Sequence, residues 1–154
     1  MKTKSLIKSI FIPLAVGAVS GFISMNAMDD FALASKPPLS PPGWLFPVVW
    51  TVLYILMGIS SYLVNNSDAP KEEIKKANLV YGISLVFNFF WSIIFFNLKQ
   101  YLFAFLWLLA LLFLVIYTVY LYFGISKTAA YLQIPYIIWL LFAAYLNFGI
   151  FLLN

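Results

Sequence analysis

Five long apolar stretches divide this chain, at residues 6–25, 44–64, 79–96, 101–123 and 129–153, and every charged side chain falls between them or near their ends. A bilayer's hydrocarbon core is about 30 Å thick and is crossed by about 20 helical residues rising about 1.5 Å each, so every stretch qualifies. Within each one the apolar residues run on continuously. A lipid-facing strand would instead alternate apolar and polar residues over about ten positions. The pattern predicts an all-α integral membrane protein, a five-transmembrane-helix bundle spanning residues 1–154 as one domain.

Proline and glycine punctuate the pattern. Pro13 cannot donate a backbone hydrogen bond to Ser9 and should kink the first helix. Gly17 and Gly21 form a small-residue face suited to close helix packing, within the bundle or across a dimer. Residues 26–43 are expected to be the longest connection, stiffened by Pro37, Pro38, Pro41 and Pro42; a loop so restrained is cheap to order and reads as a lid over a cavity. Ser40 is expected to cap the second helix, with Pro41 and Pro42 in its first turn and a kink at Pro47. Pro70, with Glu72 and Glu73 close behind, announces the third. The short links at 97–100 and 124–128 make helices three, four and five antiparallel neighbours.

Composition narrows the chemistry. With 64% hydrophobic residues in 154, the spans and their links use almost the whole length. The basic pI near 9.3 comes from lysines dispersed among loops, with no arginine and no basic stripe, which argues against nucleic acid and for topology. With the N-terminus inside, the inner side holds Lys2, Lys4, Lys8, Lys71, Lys75, Lys76 and Lys127, and the outer side Lys36 and Lys99. That asymmetry favours N-in, C-out, with the first helix retained rather than cleaved as a signal. No cysteine or histidine is present, so thiol nucleophiles, Ser-His triads and Cys/His metal sites are excluded and no metal is expected.

Polar and aromatic residues recur at helical spacing on three spans: Trp50, Tyr54 and Met57; Asn88, Trp91, Ser92 and Phe95; Pro135, Trp139, Ala143 and Asn147. Amides are costly against lipid, so Asn88, Asn147 and Gln133 should point inward. Such stripes serve ordinary packing as well as cavities. A small residue one turn from an indole, as Ala143 is from Trp139, leaves space beside a flat ring.

Three blocks carry a family resemblance. Residues 36–58, KPPLSPPGWLFPVVWTVLYILMG, follow K-P-x-x-x-P-P-x-W-x-F-x-x-V-W-x-x-L-Y-x-x-M-G; residues 87–96, FNFFWSIIFF, look like L-N-x-x-W-S-x-x-F-F, with Phe87 at its Leu; residues 135–147, PYIIWLLFAAYLN, follow P-Y-x-x-W-x-x-F-A-x-x-L-N. In this order they resemble the TspO/MBR family of tryptophan-rich sensory and translocator proteins. The resemblance implies a five-helix bundle, commonly a homodimer, with a cavity closed by the first loop, that binds protoporphyrin IX and isoquinoline carboxamide or benzodiazepine-type drugs; animal members also bind cholesterol. It implies that Trp50, Asn88, Trp91, Trp139, Ala143 and Asn147 line or support that cavity. Tyr54, Phe95 and Lys36 join the expected ligand set, Lys36 near the mouth where it can meet a propionate. Asp30-Phe31 stands where Trp-Tyr is frequent, and Leu39 where Trp is frequent, so the lid's contacts to ligand differ.

The expected function is a porphyrin receptor or sensor in a bacterial cell membrane, with no obligatory cofactor. The resemblance also implies a chemical role, light-dependent degradation of the porphyrin, for which Trp50 and Trp139 are the expected photochemical donors. The alternatives are a porphyrin or sterol exporter and a ligand-regulated scaffold; spans lacking acidic, basic and histidine side chains in their middles offer nothing to drive an ion-coupled cycle.

Overall fold

A computed structural model describes residues 2–154, the side chains of Asp29 and Asp30 excepted. The elements are α1 (Lys2–Phe31), α2 (Leu45–Asn65), α3 (Lys71–Ser92) running into a π-helical turn (Ile93–Asn97), α4 (Tyr101–Phe123), α5 (Lys127–Leu132) and α6 (Ile134–Leu153). Taking α3 with its π turn and α5 with α6, five helices are long and apolar enough to cross a membrane.

Several boundaries differ from expectation. The connection expected at 26–43 begins later, because residues 26–31 contain no proline or glycine and α1 continues to Phe31. Ser40 is not a cap: its hydroxyl donates to the Pro37 carbonyl at 2.7 Å, inside the loop. Helix α2 starts at Leu45, so Pro41 and Pro42 precede it. Pro47 becomes its third residue, where an amide has no helical acceptor to lose, and no kink is needed. The fifth span is broken at Gln133, whose carbonyl accepts from the amides of Tyr136 and Ile137 at 3.2 and 3.3 Å as α6 restarts with Pro135 in its first turn. The third span ends in a wider coil, the Leu98 amide reaching back five residues to the Ile93 carbonyl at 3.0 Å.

Around the bundle α2 packs on α1, α1 on α3, α3 on α4 and α4 on α6, and α5 closes the ring onto α2. The tightest crossing lies between α1 and α2, where a Cβ on Gly58 would overlap the backbone of Ile10 and sit 2.8 Å from the Ser9 carbonyl. That is the carbonyl to which Pro13 has no N–H to offer. Met57, Leu108, Leu111, Val115, Tyr136 and Leu140 form the centre of the core. Beyond the break at Gln133, α6 meets α2 through aromatic side chains rather than close backbone packing, and a cavity opens between these helices, α1 and the third span.

A candidate ligand cavity beneath the strap

A cavity of about 880 Å³ lies between the spans on the side of the 32–44 loop. All nine residues expected to meet a ligand line it: Lys36 from the loop, Trp50 and Tyr54 from α2, Asn88, Trp91 and Phe95 from the third span, and Trp139, Ala143 and Asn147 from α6. Helical spacing puts each set on one face, and the π turn brings Phe96 in as well.

The aromatic wall is built from short contacts. Trp50 stacks on Tyr54 with ring centres 5.5 Å apart and stands perpendicular to Trp139 at 6.5 Å. Phe46 meets Trp139 edge-on at 5.8 Å, and Trp91 stacks on Phe95 at 5.2 Å. Such offset and edge-to-face pairs suit the ring quadrupoles.

The polar groups are largely spent on one another. Tyr54 Oη donates to Asn88 Oδ1 at 2.7 Å, and Asn88 Nδ2 donates to Tyr136 Oη at 2.7 Å. Trp91 Nε1 donates to Asn147 Oδ1 at 3.1 Å, and Asn147 Nδ2 to the Tyr101 carbonyl at 2.8 Å. These bonds orient the side chains and leave a lining dominated by carbon. The Trp139 indole N–H is buried without a partner among the described residues. Lys36 is the charged group among the described lining residues; its ammonium donates to the Ala32 and Ala34 carbonyls at 3.1 and 3.3 Å and lies 4.9 Å from the centre of the Phe31 ring.

The loop is strapped down rather than loose. Asn154 exchanges two hydrogen bonds with the Ser35 backbone, at 3.2 and 2.7 Å, and Tyr145 Oη donates to the Pro38 carbonyl at 2.6 Å. Pro37 packs where a side chain on Gly149 would sit, its Cγ only 2.6 Å from that position. Leu39, at a φ of 70°, turns outward and is exposed. The Asp30 side chain, the other departure from the family pattern, lies outside the described residues.

Sequence reasoning missed the wall supplied by α1. Gly17 lies under the Tyr54 ring, which occupies the place of a Cβ, whereas a Cβ at Gly21 would meet nothing within 4 Å and would enter the cavity. Ser20 and Ser24 are buried on the same helix. The signal was the run of small residues Gly17, Ala18, Ser20 and Gly21, read only as a packing face. Tyr136 was also missed, although it completes the Asn88 relay.

Fold and site together define a class: small polytopic membrane proteins enclosing an aromatic, almost uncharged cavity under an extramembrane strap. The chain belongs to the TspO/MBR family, whose profile matches residues 9–153. It is 37% identical to "Tryptophan-rich protein TspO" of Archaeoglobus fulgidus over 155 residues, covering 100% of this chain and 99% of that protein. Similarity extends to "Protein CrtK" of Rhodobacter capsulatus, 33% identical over 90% of this chain and 85% of the relative, and to the human "Translocator protein", 33% identical over 84% and 77%.

Proposed function

We propose that the cavity binds a flat, largely apolar tetrapyrrole, protoporphyrin IX, and takes isoquinoline carboxamide or benzodiazepine-type ligands in the same space. The observation that carries this reading is the perpendicular pair Trp50 and Trp139, 6.5 Å apart, with small Ala143 one turn beyond Trp139 and open space over Gly21. Ligand sites commonly measure about 300–1,000 Å³, are mainly apolar and carry a few fixed polar groups. Aromatic contact would supply most of the affinity. Two of the three hydrogens on the Lys36 ammonium are engaged by backbone carbonyls, leaving one for a propionate at the rim.

The test is quenching of intrinsic tryptophan fluorescence by protoporphyrin IX in darkness. A saturable quench that Ala143→Phe removes by filling the space is the expected result; a quench indifferent to that change counts against the reading. Under illumination, Trp50 and Trp139 serve as electron or hydrogen donors to the excited macrocycle. Trp139→Phe should then keep most of the binding while slowing the light-driven loss of porphyrin absorbance, and equal rates would remove Trp139 from that step. The functional unit in this reading is a homodimer, which cross-linking with and without protoporphyrin IX tests.

A further inference from the structure

A second hollow of about 590 Å³ lies on the outside of the bundle, between α2 and α6. Its rim is Val48, Val52 and Ile138, all more than half exposed, and its inner side is Leu53, Phe142 and Trp139. Every lining group is hydrocarbon or aromatic. It occurs where the two helices diverge after the break at Gln133, on a wall formed by membrane-spanning helices.

Trp139 is the side chain shared by this hollow and the central cavity. The cavity and the hollow thus meet at this indole. Its neighbours Phe46, Trp50 and Phe142 touch it through ring contacts alone, and its buried N–H has no partner among the described residues, so no hydrogen bond holds it in place. The strap is built differently: Asn154 and Tyr145 tie it to α6 with three hydrogen bonds, and Pro37 is seated against Gly149. Opening the roof breaks all of these, whereas rotating Trp139 breaks none.

We infer that the hollow between α2 and α6 is a lateral portal through which the cavity takes apolar ligands from the acyl-chain region of the bilayer, with Trp139 as its gate. The inference rests on the reading of the central cavity as the ligand site. Apolar ligands partition into the bilayer, so a side opening meets them where they are concentrated. An aqueous opening under the strap would meet only the small dissolved fraction.

The chain has no cysteine, so a single introduced thiol reports access to the cavity. Gly21→Cys places that thiol in open space on the wall formed by α1. The protein is reconstituted in phosphatidylcholine vesicles, and the rate of labelling by N-phenylmaleimide, an apolar reagent that enters the bilayer, is followed by mass. Val52→Trp and, separately, Val48→Trp fill the hollow from its rim; Ile116→Trp adds the same bulk to a lipid-facing position on α4. Asn154→Ala with Tyr145→Phe loosens the strap. Both fillers should slow labelling by about tenfold or more, while the α4 control and the loosened strap stay within about twofold of the parent. Circular dichroism confirms that each variant is folded. Labelling at the parental rate in both filled variants, or a tenfold acceleration on loosening the strap, would overturn the portal. Because the reagent is not a tetrapyrrole, this result and the protoporphyrin titration stand or fall separately.

Discussion

Asn88 accepts from Tyr54 and donates to Tyr136, so a single amide joins α2, α3 and α6 at the inner end of the cavity. Asn88→Leu strands two buried hydroxyls as well as removing two bonds, and interhelical bonds in membranes are individually modest, so a loss of about 1–3 kcal/mol is expected. Unfolding in mixed detergent followed by circular dichroism measures it; an unchanged midpoint would show that the two tyrosines find other partners. Gly58 and Gly82 offer a sharper contrast. A side chain at Gly58 collides with the α1 backbone, whereas one at Gly82 meets nothing within 4 Å. Gly58→Leu should lower stability by more than about 2 kcal/mol through overpacking, and Gly82→Ala should raise it by about 0.5–1 kcal/mol through helix propensity. The same unfolding assay ranks the two variants.

The elements depart from straight helices at two places, and both shape the cavity. The π turn at the end of α3 is tied to α1 by the Asn97 amide, which donates to the Ile23 carbonyl at 3.2 Å, and it presents Phe95 and Phe96 inward. The break at Gln133 separates α5, whose backbone packs closely on α2, from α6, which meets α2 through the rings of Tyr136 and Trp139 against Phe46 and Trp50. The strap is the third irregular element, and its order comes from hydrogen bonds to α6 together with the stiffness of its prolines. Removing the side-chain partners, by Asn154→Ala with Tyr145→Phe, should raise amide hydrogen exchange at Ser35 by about tenfold or more while leaving α4 unchanged. Exchange at the parental rate would assign the order of the strap to its prolines alone.

At the scale of the molecule, the lysine distribution bears on how the bundle sits in its membrane. We propose N-in, C-out, because seven of the nine lysines fall on the side of the N-terminus. A phosphatase fused after Asn154 should be active and a cytoplasmic reporter there silent; the opposite pair of results reverses the orientation and puts the strap inside. Five spans with charges at their ends were legible because the bilayer penalises each buried charge independently of tertiary context. The eight lining residues on the spans were legible because a helix sends positions three, four and seven apart to one side, and the family blocks identified which sides face in; Lys36, in the loop, has no helical spacing to reveal it.

The number of spans, their apolar faces and the aromatic stripe from Trp50 to Asn147 follow from the sequence alone, since periodicity and transfer cost are local properties. Tertiary structure decided the rest. Gly17 and Gly21 are equivalent in the sequence, yet one lies under Tyr54 and the other opens into the cavity, because the path of α2 past α1 covers only the first. Ser40 could cap a helix, but α2 begins only at Leu45, and within the folded loop the Ser40 hydroxyl donates to the Pro37 carbonyl. The docking of the strap on Asn154 and the parting of α2 from α6 depend on contacts between residues more than eighty positions apart. Such contacts exist only once the helices have packed.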